Sequence, residues 1–161
     1  MIKLRKIKAK DIWLLYSWVN KEDSLKNKIK TDERISKVNH EEWFKNSLNN
    51  DTRLIWIVNK DNKDIGQVRI DINREWKLGL IDIFIEKQYR KLKVGKTSLL
   101  EAIEYVDMNF DIEYMAANIL NSNINSFKFF QNLGFEQYKD YGHYKELRLK
   151  LSILDYTKSV L

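Results

Sequence analysis

The residues best placed to do chemistry in this chain are those of Tyr89-Arg90-Lys91-Leu92-Lys93-Val94-Gly95-Lys96-Thr97, which follow an apolar run from Leu80 to Ile85 and lead into an apolar-periodic stretch. A strand that turns through a basic loop into a helix start gathers free backbone N–H groups and the positive end of the helix dipole at one point. That chemistry is anion binding, and phosphate suits it best. Gly95-Lys96-Thr97 copies the tail of the P-loop of nucleotide hydrolases, but the motif's first glycine would fall at Arg90, so that reading fails at its strictest position. The plainer alternative is a basic helix turn that holds no ligand.

A second segment, Asn123-Ile124-Asn125-Ser126-Phe127-Lys128-Phe129-Phe130-Gln131-Asn132-Leu133-Gly134-Phe135, reads as a capped helix. Asn123 can cap it, Phe127 and Phe130 lie one turn apart, and Gly134 offers the positive-φ stop. Together the two segments resemble the GNAT N-acetyltransferases. Arg90-x-x-Lys93-x-Gly95 matches the first and last positions of the family's Arg/Gln-x-x-Gly-x-Gly/Ala loop, with Lys93 at the middle glycine, and Asn123 to Phe135 resembles its N-x-x-S, aromatic, x-x-L-G-F signature.

The resemblance implies acetyl-CoA as cosubstrate and no metal. Its pyrophosphate would lie on Arg90, Lys91, Lys93, Val94, Gly95, Lys96 and Thr97. Asn123, Ser126 and Phe130 would flank the pantetheine arm. The resemblance also implies direct attack of a neutral amine on the thioester, with backbone N–H groups near Ile83, Phe84 and Ile85 holding the carbonyl oxygen as charge develops. The family often places a tyrosine where Phe130 stands, and related sugar acetyltransferases often carry a glutamate where Asn118 stands. Proton handling would then fall to Asp82, to a water held by Asn118, or to Tyr138, Tyr141, His143 or Tyr144 near the chain's closing hairpin.

Within the family, the N-terminal half most resembles the enzymes that acetylate nucleotide-linked amino sugars, such as the UDP-4-amino-sugar N-acetyltransferases of pseudaminic acid biosynthesis. Trp18-Val19-Asn20, the stretch from Ile35 to Phe44 with His40 and Trp43, and Ile65-Gly66-Gln67-Val68-Arg69-Ile70-Asp71 carry the likeness. Trp18, Asn20, His40, Trp43, Arg69 and Asp71 are the acceptor residues it implies. Strand alternation puts Gln67, Arg69 and Asp71 on one face, where Arg69 could pair with a nucleotide phosphate and Trp43 could stack on a base or sugar. Taken singly, Trp18, Trp43 and Phe44 read more readily as core residues, and His40 as a surface or capping residue. Another amine acceptor (a protein N-terminus, a polyamine or an aminoglycoside) is the enzymatic alternative.

The elements that must position these residues follow from periodicity. Ile2 to Ile7 alternates as a strand, and Ile12, Leu15, Tyr16 and Val19 recur at helical spacing. Asn39 and Glu42 form a capping box before Trp43, Phe44 and Leu48. Strands at 53–59 and 65–71, joined by Lys60-Asp61-Asn62-Lys63, and a third at 76–86 make a meander into the phosphate loop. Leu99, Leu100, Ile103, Val106 and Phe110 stripe the next helix, 114–120 is a buried strand, and 138–151 closes as a hairpin around Tyr141-Gly142. The expected class is α/β (α+β), with a mixed central sheet of about seven strands and four helices. It forms a single domain over 1–151, and 152–161 is left as a tail.

With 161 residues, one domain buries about 70% of its unfolded surface. The absence of cysteine rules out a disulfide framework and a cysteinyl acyl-enzyme, and two histidines make a poor metal cluster. The net charge of +6 invites a nucleic-acid-binding module, but the lysines are spread among carboxylates instead of forming one block. Charges interrupt the N-terminal apolar residues and no run approaches a membrane span, which points to the cytoplasm. Abundant Lys, Asn and Ile with no proline read as the coding bias of an AT-rich bacterial genome.

Overall fold

Alternating and helical apolar patterns fold here into one mixed sheet with helices on both faces. The structure, a computed structural model, describes residues 1–30 and 33–153. In chain order the elements are β1 (Ile2–Lys6), α1 (Ile12–Val19), α2 (Glu22–Leu25), α3 (Lys37–Leu48), β2 (Arg53–Lys60), β3 (Lys63–Asn73), β4 (Leu78–Ile85), α4 (Val94–Asn109), β5 (Tyr114–Leu120), α5 (Ile124–Asn132), β6 (Glu136–Asp140) and β7 (Tyr144–Lys150). The sheet order is β1-β2-β3-β4-β5-β7-β6, and every neighbouring pair is antiparallel except β4 and β5. This is the mixed seven-stranded class expected. A fifth helix, the four-residue α2, is added, which is too short to show a period. The tail expected at 152–161 lies, from 154 on, outside the described residues.

Local chemistry sets the joints. Asp61 and Asn62 both take positive φ (51° and 68°), the conformation a tight β2–β3 hairpin demands. A Cβ on Gly66 would sit 2.2 Å from the Phe84 carbonyl oxygen, so β3 and β4 can approach only because residue 66 has no side chain. α3 starts earlier than the expected capping box. Ser36 is the cap, accepting the Asn39 N–H at 3.2 Å, so Asn39 sits in the first turn and not before it.

Strand alternation divides the apolar residues between two cores. Trp56 and Val58 of β2 join Val68, Ile70, Ile81, Leu99, Ile103 and Phe130 under α4 and α5. Ile55 and Ile57 instead join Leu15, Trp18 and Phe44 under α1 and α3. The odd residues of β3, Gln67, Arg69 and Asp71, therefore lie on the α1–α3 side, and so does Asp82, opposite Arg69 in β4.

Candidate active site

The sheet is open at its centre. β4 pairs with β5 only from Leu78 to Leu80 against Tyr114 to Ala116, although β4 runs on to Ile85 and β5 to Leu120. Beyond that point each strand keeps its partner on the other side and the two inner edges no longer pair with each other, although the Ile85 carbonyl accepts from Arg90 Nε at 2.7 Å and the Leu120 carbonyl from the Asn123 N–H at 2.9 Å. The Glu86 N–H is given to the Ile65 carbonyl at 2.8 Å, so alternation aims the backbone groups of Ile83 and Ile85 away from β3 and into the gap. From the opposite lip, the Asn121 N–H goes to His143 at 3.1 Å, which turns the backbone of Asn118 and Leu120 towards β4. A V-shaped cleft results, lined by main-chain donors and acceptors.

Asp82 and Asn118 hold equivalent places on its two lips, each two residues past the last paired position and on the same face. Asp82 is half exposed and accepts from Gln67 Nε2 at 2.9 Å. Asn118 Oδ1 is buried with no hydrogen-bond partner among the described residues. A carboxylate and an unsatisfied amide oxygen thus face a cleft in which a group with N–H donors can satisfy both.

At the open, C-terminal end of β4 the basic loop turns into α4. Lys93 caps the helix in the left-handed conformation (φ 60°, ψ 4°), and Lys91 also has positive φ (64°). Lys93 therefore keeps the backbone that a glycine would adopt at the motif's middle position. The first intrahelical bond runs from Thr97 N–H to the Lys93 carbonyl at 3.0 Å, which leaves the N–H groups of Val94, Gly95 and Lys96 without intrahelical partners and commits that of Thr97 to the helix. Gly95 packs beside Phe129 and Ile83, and a Cβ there would lie 3.4 Å from the Phe129 ring. The fit to a pyrophosphate thus rests on main-chain donors beside exposed lysines at 91, 93 and 96.

Arg90 does something the motif does not announce. Its Nε donates to the Ile85 carbonyl at 2.7 Å, and its guanidinium pairs with Asp23 of α2 and lies over the Phe84 ring. Glu86 makes a second fastening: it accepts from Trp18 Nε1 at 3.0 Å and from Gln88 at 2.8 Å, with Lys21 Nζ 3.8 Å away. Arg90 and Glu86 join the basic loop to α1 and α2. The partners Asp23 and Trp18 are 67 and 68 positions distant, so no local spacing could have revealed the seam.

On the α1–α3 side, several residues expected to touch an acceptor are occupied by the protein itself. Trp18 is buried in the core with its N–H on Glu86. Asn20 is buried, bonding the Ile35 N–H at 2.7 Å and the Ile35 carbonyl at 3.3 Å, which ties the chain after α2 to α1. His40, read as a surface or capping residue, is instead buried with Nε2 2.6 Å from the Ile12 carbonyl and stacks on Trp43. The Arg53 and Arg69 guanidinia lie 5.6 and 5.7 Å from the Trp43 ring centroid, so Trp43 is a platform for two cations and not a free face for a base. Arg53 bonds Asp71 at 2.7 Å; Arg69 Nε approaches the same carboxylate at 3.2 Å, outside hydrogen-bond alignment, and its Nη2 lies 4.0 Å from Asp82.

The remaining expected residues scatter. Phe130 is buried edge-on against Phe129 and Phe135, so it offers the cleft neither a hydroxyl nor much surface. Asn123 Oδ1 caps α5 by accepting the Ser126 N–H at 3.3 Å. Tyr141 stacks on Tyr144 at the hairpin tip, beyond the end of β5. Lys28, which no motif marks, stands in the turn after α2 with its Nζ buried and unpartnered among the described residues. Burial pushes its ammonium below the usual lysine range, opposed by the charge of Asp82. The described residues contain no group of three or more metal-ligating side chains and no helix long and apolar enough to cross a membrane.

A family model described as an acetyltransferase (GNAT) domain matches residues 2–136. Among solved structures, the chain is similar to spermidine N-acetyltransferase from Vibrio cholerae in complex with CoA and spermine, at 15% identity and a TM-score of 0.83 over 97% of this chain and 98% of that one. It is also similar to a ribosomal-protein-alanine N-acetyltransferase from Brucella melitensis (18% identity, TM-score 0.74, 92% and 99% of the two chains). A third is an aminoglycoside acetyltransferase in complex with coenzyme A (13% identity, TM-score 0.78, 94% and 96%). At these identities the likeness is one of fold. No curated protein matches the chain.

Proposed function

The chain belongs to the GNAT acetyltransferase family, and from that premise we propose that it transfers the acetyl group of acetyl-CoA to the primary amine of a nucleotide-linked amino sugar. The observation that carries the transfer is the splayed β4–β5 cleft, whose inner edges no longer pair with each other, beside a helix start with three N–H groups that have no intrahelical partner. Bound acetyl-CoA supplies an activated acetyl thioester. The chain supplies the rest. Loop N–H groups and the lysines around them bind the diphosphate, the Ile83 and Ile85 backbone hold the arm in register and stabilise negative charge on the thioester oxygen, and the narrow cleft excludes water.

Asp82 and Asn118 handle the amine. Asp82 accepts a proton as the amine becomes a nucleophile, and Asn118 Oδ1 accepts an N–H that fixes its direction. Phe130 donates no proton, and a CoA thiolate leaves at neutral pH without one. The nucleotide part of the proposal is supported by the cations over Trp43, the feature of the α1–α3 side best matched to phosphate.

Thermal denaturation with acetyl-CoA, CoA and ATP tests the first part. At about 100 times Kd, linkage predicts ~2.7 kcal/mol and a rise of roughly 5–10 °C with acetyl-CoA and none with ATP. A thiol-release assay with UDP-amino sugars, spermidine, an aminoglycoside and N-terminal peptides tests the second; turnover of the latter three alone sinks the amino-sugar assignment.

A further inference from the structure

On the sheet face that carries Asp82 and Asn118, α1 and α3 pack over Ile55, Ile57 and Phe84, and among the described residues none of β5, β6 or β7 joins that core. A charged side chain on the far part of the face should therefore stand in solvent. Glu146 does not: it lies opposite Asn118 in the β5–β7 ladder, on the same face, and its side chain is only 13% exposed. Arg148, two residues along β7, donates Nε to Glu146 Oε2 at 2.5 Å, and the Arg148 guanidinium is itself held 3.5 Å from the centroid of the Tyr138 ring. Lys139, the register partner of Glu146 on β6, lies instead over the Tyr141 ring at 4.9 Å. A carboxylate is thus held beside the cleft by an ion pair that an aromatic ring backs.

Directly opposed residues of an antiparallel pair have Cβ atoms about 4.5–5.5 Å apart, so one donor group can reach both Glu146 and Asn118. Asn118 Oδ1 is buried without a partner among the described residues, and Arg148 engages Glu146 through Oε2, so Oε1 is the oxygen a ligand meets. Two acceptors side by side with no donor between them repel each other, and a primary ammonium, with its three N–H donors, removes that repulsion. From this arrangement we infer that Glu146, together with Asn118, binds the ammonium of the acceptor, while Asp82 on the other lip takes its proton. The N–H bond breaks with its electron pair left on nitrogen, which then attacks the thioester carbon as the sulfur departs with the C–S pair. Arg148 offsets the charge of Glu146 at 2.5 Å, whereas the cation beside Asp82, Arg69, stands 4.0 Å off, so the proton passes to Asp82 and Glu146 keeps the amine in place. The inference rests on the acetyltransferase reading of the cleft and names the residue that holds its amine.

Four amines decide it: UDP-glucosamine, spermidine, kanamycin and a peptide with an N-terminal alanine, titrated calorimetrically into the CoA-saturated protein and followed in parallel by thiol release from acetyl-CoA. With the amine the wild type binds best, Glu146→Gln, which keeps the shape and loses the charge, should raise Kd and KM about tenfold or more and leave kcat within about threefold. Asp82→Asn should show the reverse split, kcat falling by about a hundredfold with KM little changed. Glu146→Asp, which keeps the charge, should recover part of the lost affinity. In all three variants the acetyl-CoA thermal shift should stay as in the wild type, which shows that the fold and the other side of the cleft are intact. A merely structural Glu146–Arg148 pair predicts a lower Tm for Glu146→Gln with Kd and KM unmoved, and that result overturns the inference. So does a fall in kcat at unchanged KM in Glu146→Gln, or the failure of all four amines to bind. Glu146-dependent binding of an amine without thiol release would instead leave the amine site standing and sink the transferase reading.

Discussion

The two halves of the cleft are built by different means. On the proposed cofactor side, β4, the 90–97 loop and the start of α4 offer main-chain N–H groups, and the side chains there shape the backbone, fasten it to α1 and α2 or add diffuse positive charge. On the proposed acceptor side, Arg53, Arg69, Asp71 and Asp82 present side chains brought together from three strands. A backbone site tolerates changes of residue type while the dihedrals are kept, which is how a lysine can stand where the motif wants glycine. A side-chain site has no such latitude, and its chemistry changes with each substitution.

The largest test of that contrast is Gly95→Val. A Cβ at residue 95 already reaches 3.4 Å from Phe129, so a branched side chain must push the first turn of α4 or the aromatic ring. Overpacking of that kind costs about 1–3 kcal/mol; where binding requires the displaced turn to return, up to that much is taken from acetyl-CoA binding, a loss of roughly 5–140-fold in a calorimetric titration. Gly95→Ala should bind nearly as the wild type. Full binding by the valine variant would show that the cofactor is not held at this helix start.

Next is the seam. Arg90→Ala removes the donor to Ile85 and the partner of Asp23, but the guanidinium is 40% exposed, so solvent discounts the loss. About 1 kcal/mol of stability should go, a fall in Tm of roughly 2–4 °C. The expected signature is asymmetric: the acetyl-CoA thermal shift persists because the donors are main chain, while KM for the amine rises because α2 is no longer tied down. A lost shift with an unchanged amine KM would mean that the Arg90 side chain is itself a phosphate ligand.

The asymmetry also explains what could be read from the chain. Elements with a strong period were visible, and so was the phosphate loop, because a contiguous segment carries its own geometry: apolar strand, basic turn, helix start. Asn123 and Gly134 showed their capping roles for the same reason. The acceptor side was legible only in part. Arg69, Asp71 and Asp82 could be placed on one face by alternation, but whether Trp43 offered a free ring depended on Arg53 and His40 from other elements. Lys28 had no signal, since its meaning comes from burial and from Asp82, 54 positions away. The missed α2 and the shifted start of α3 are ordinary boundary effects of short or polar segments.

Lys93→Gly sharpens the comparison with a smaller effect of opposite sign. A non-glycine residue in the left-handed region costs about 1–2 kcal/mol, and glycine returns roughly half of that to the unfolded chain as entropy. The net expectation is a gain of ~0.5 kcal/mol, read as a slightly higher urea midpoint, with the acetyl-CoA shift intact. If the shift collapses, the ammonium at 93 is a direct ligand and the cofactor side also depends on a side chain.

The mildest test is acid. Arg5 of β1 grips Asp11, just before α1, through two bonds of 2.8 Å, and Asp64 of β3 at 2.7 Å. Burial pushes the Asp11 carboxyl up, but the Arg5 guanidinium and the Lys8 N–H outweigh it and hold Asp11 below the usual range. Asp64 is held down chiefly by Arg5. Both folded-state values lie below the unfolded ones, so this stabilisation is complete above about pH 4 and is lost as the pH falls through the folded values. The cluster anchors α1, which packs on the proposed acceptor side, whereas the 90–97 loop is fastened elsewhere, through Arg90 and Glu86. On acidification the urea midpoint should therefore drop below about pH 4, and amine binding should weaken before acetyl-CoA binding does. Asp64→Asn should flatten part of that slope. Simultaneous loss of both ligands would instead mean that the two halves unfold as one unit and that their different construction has no thermodynamic consequence.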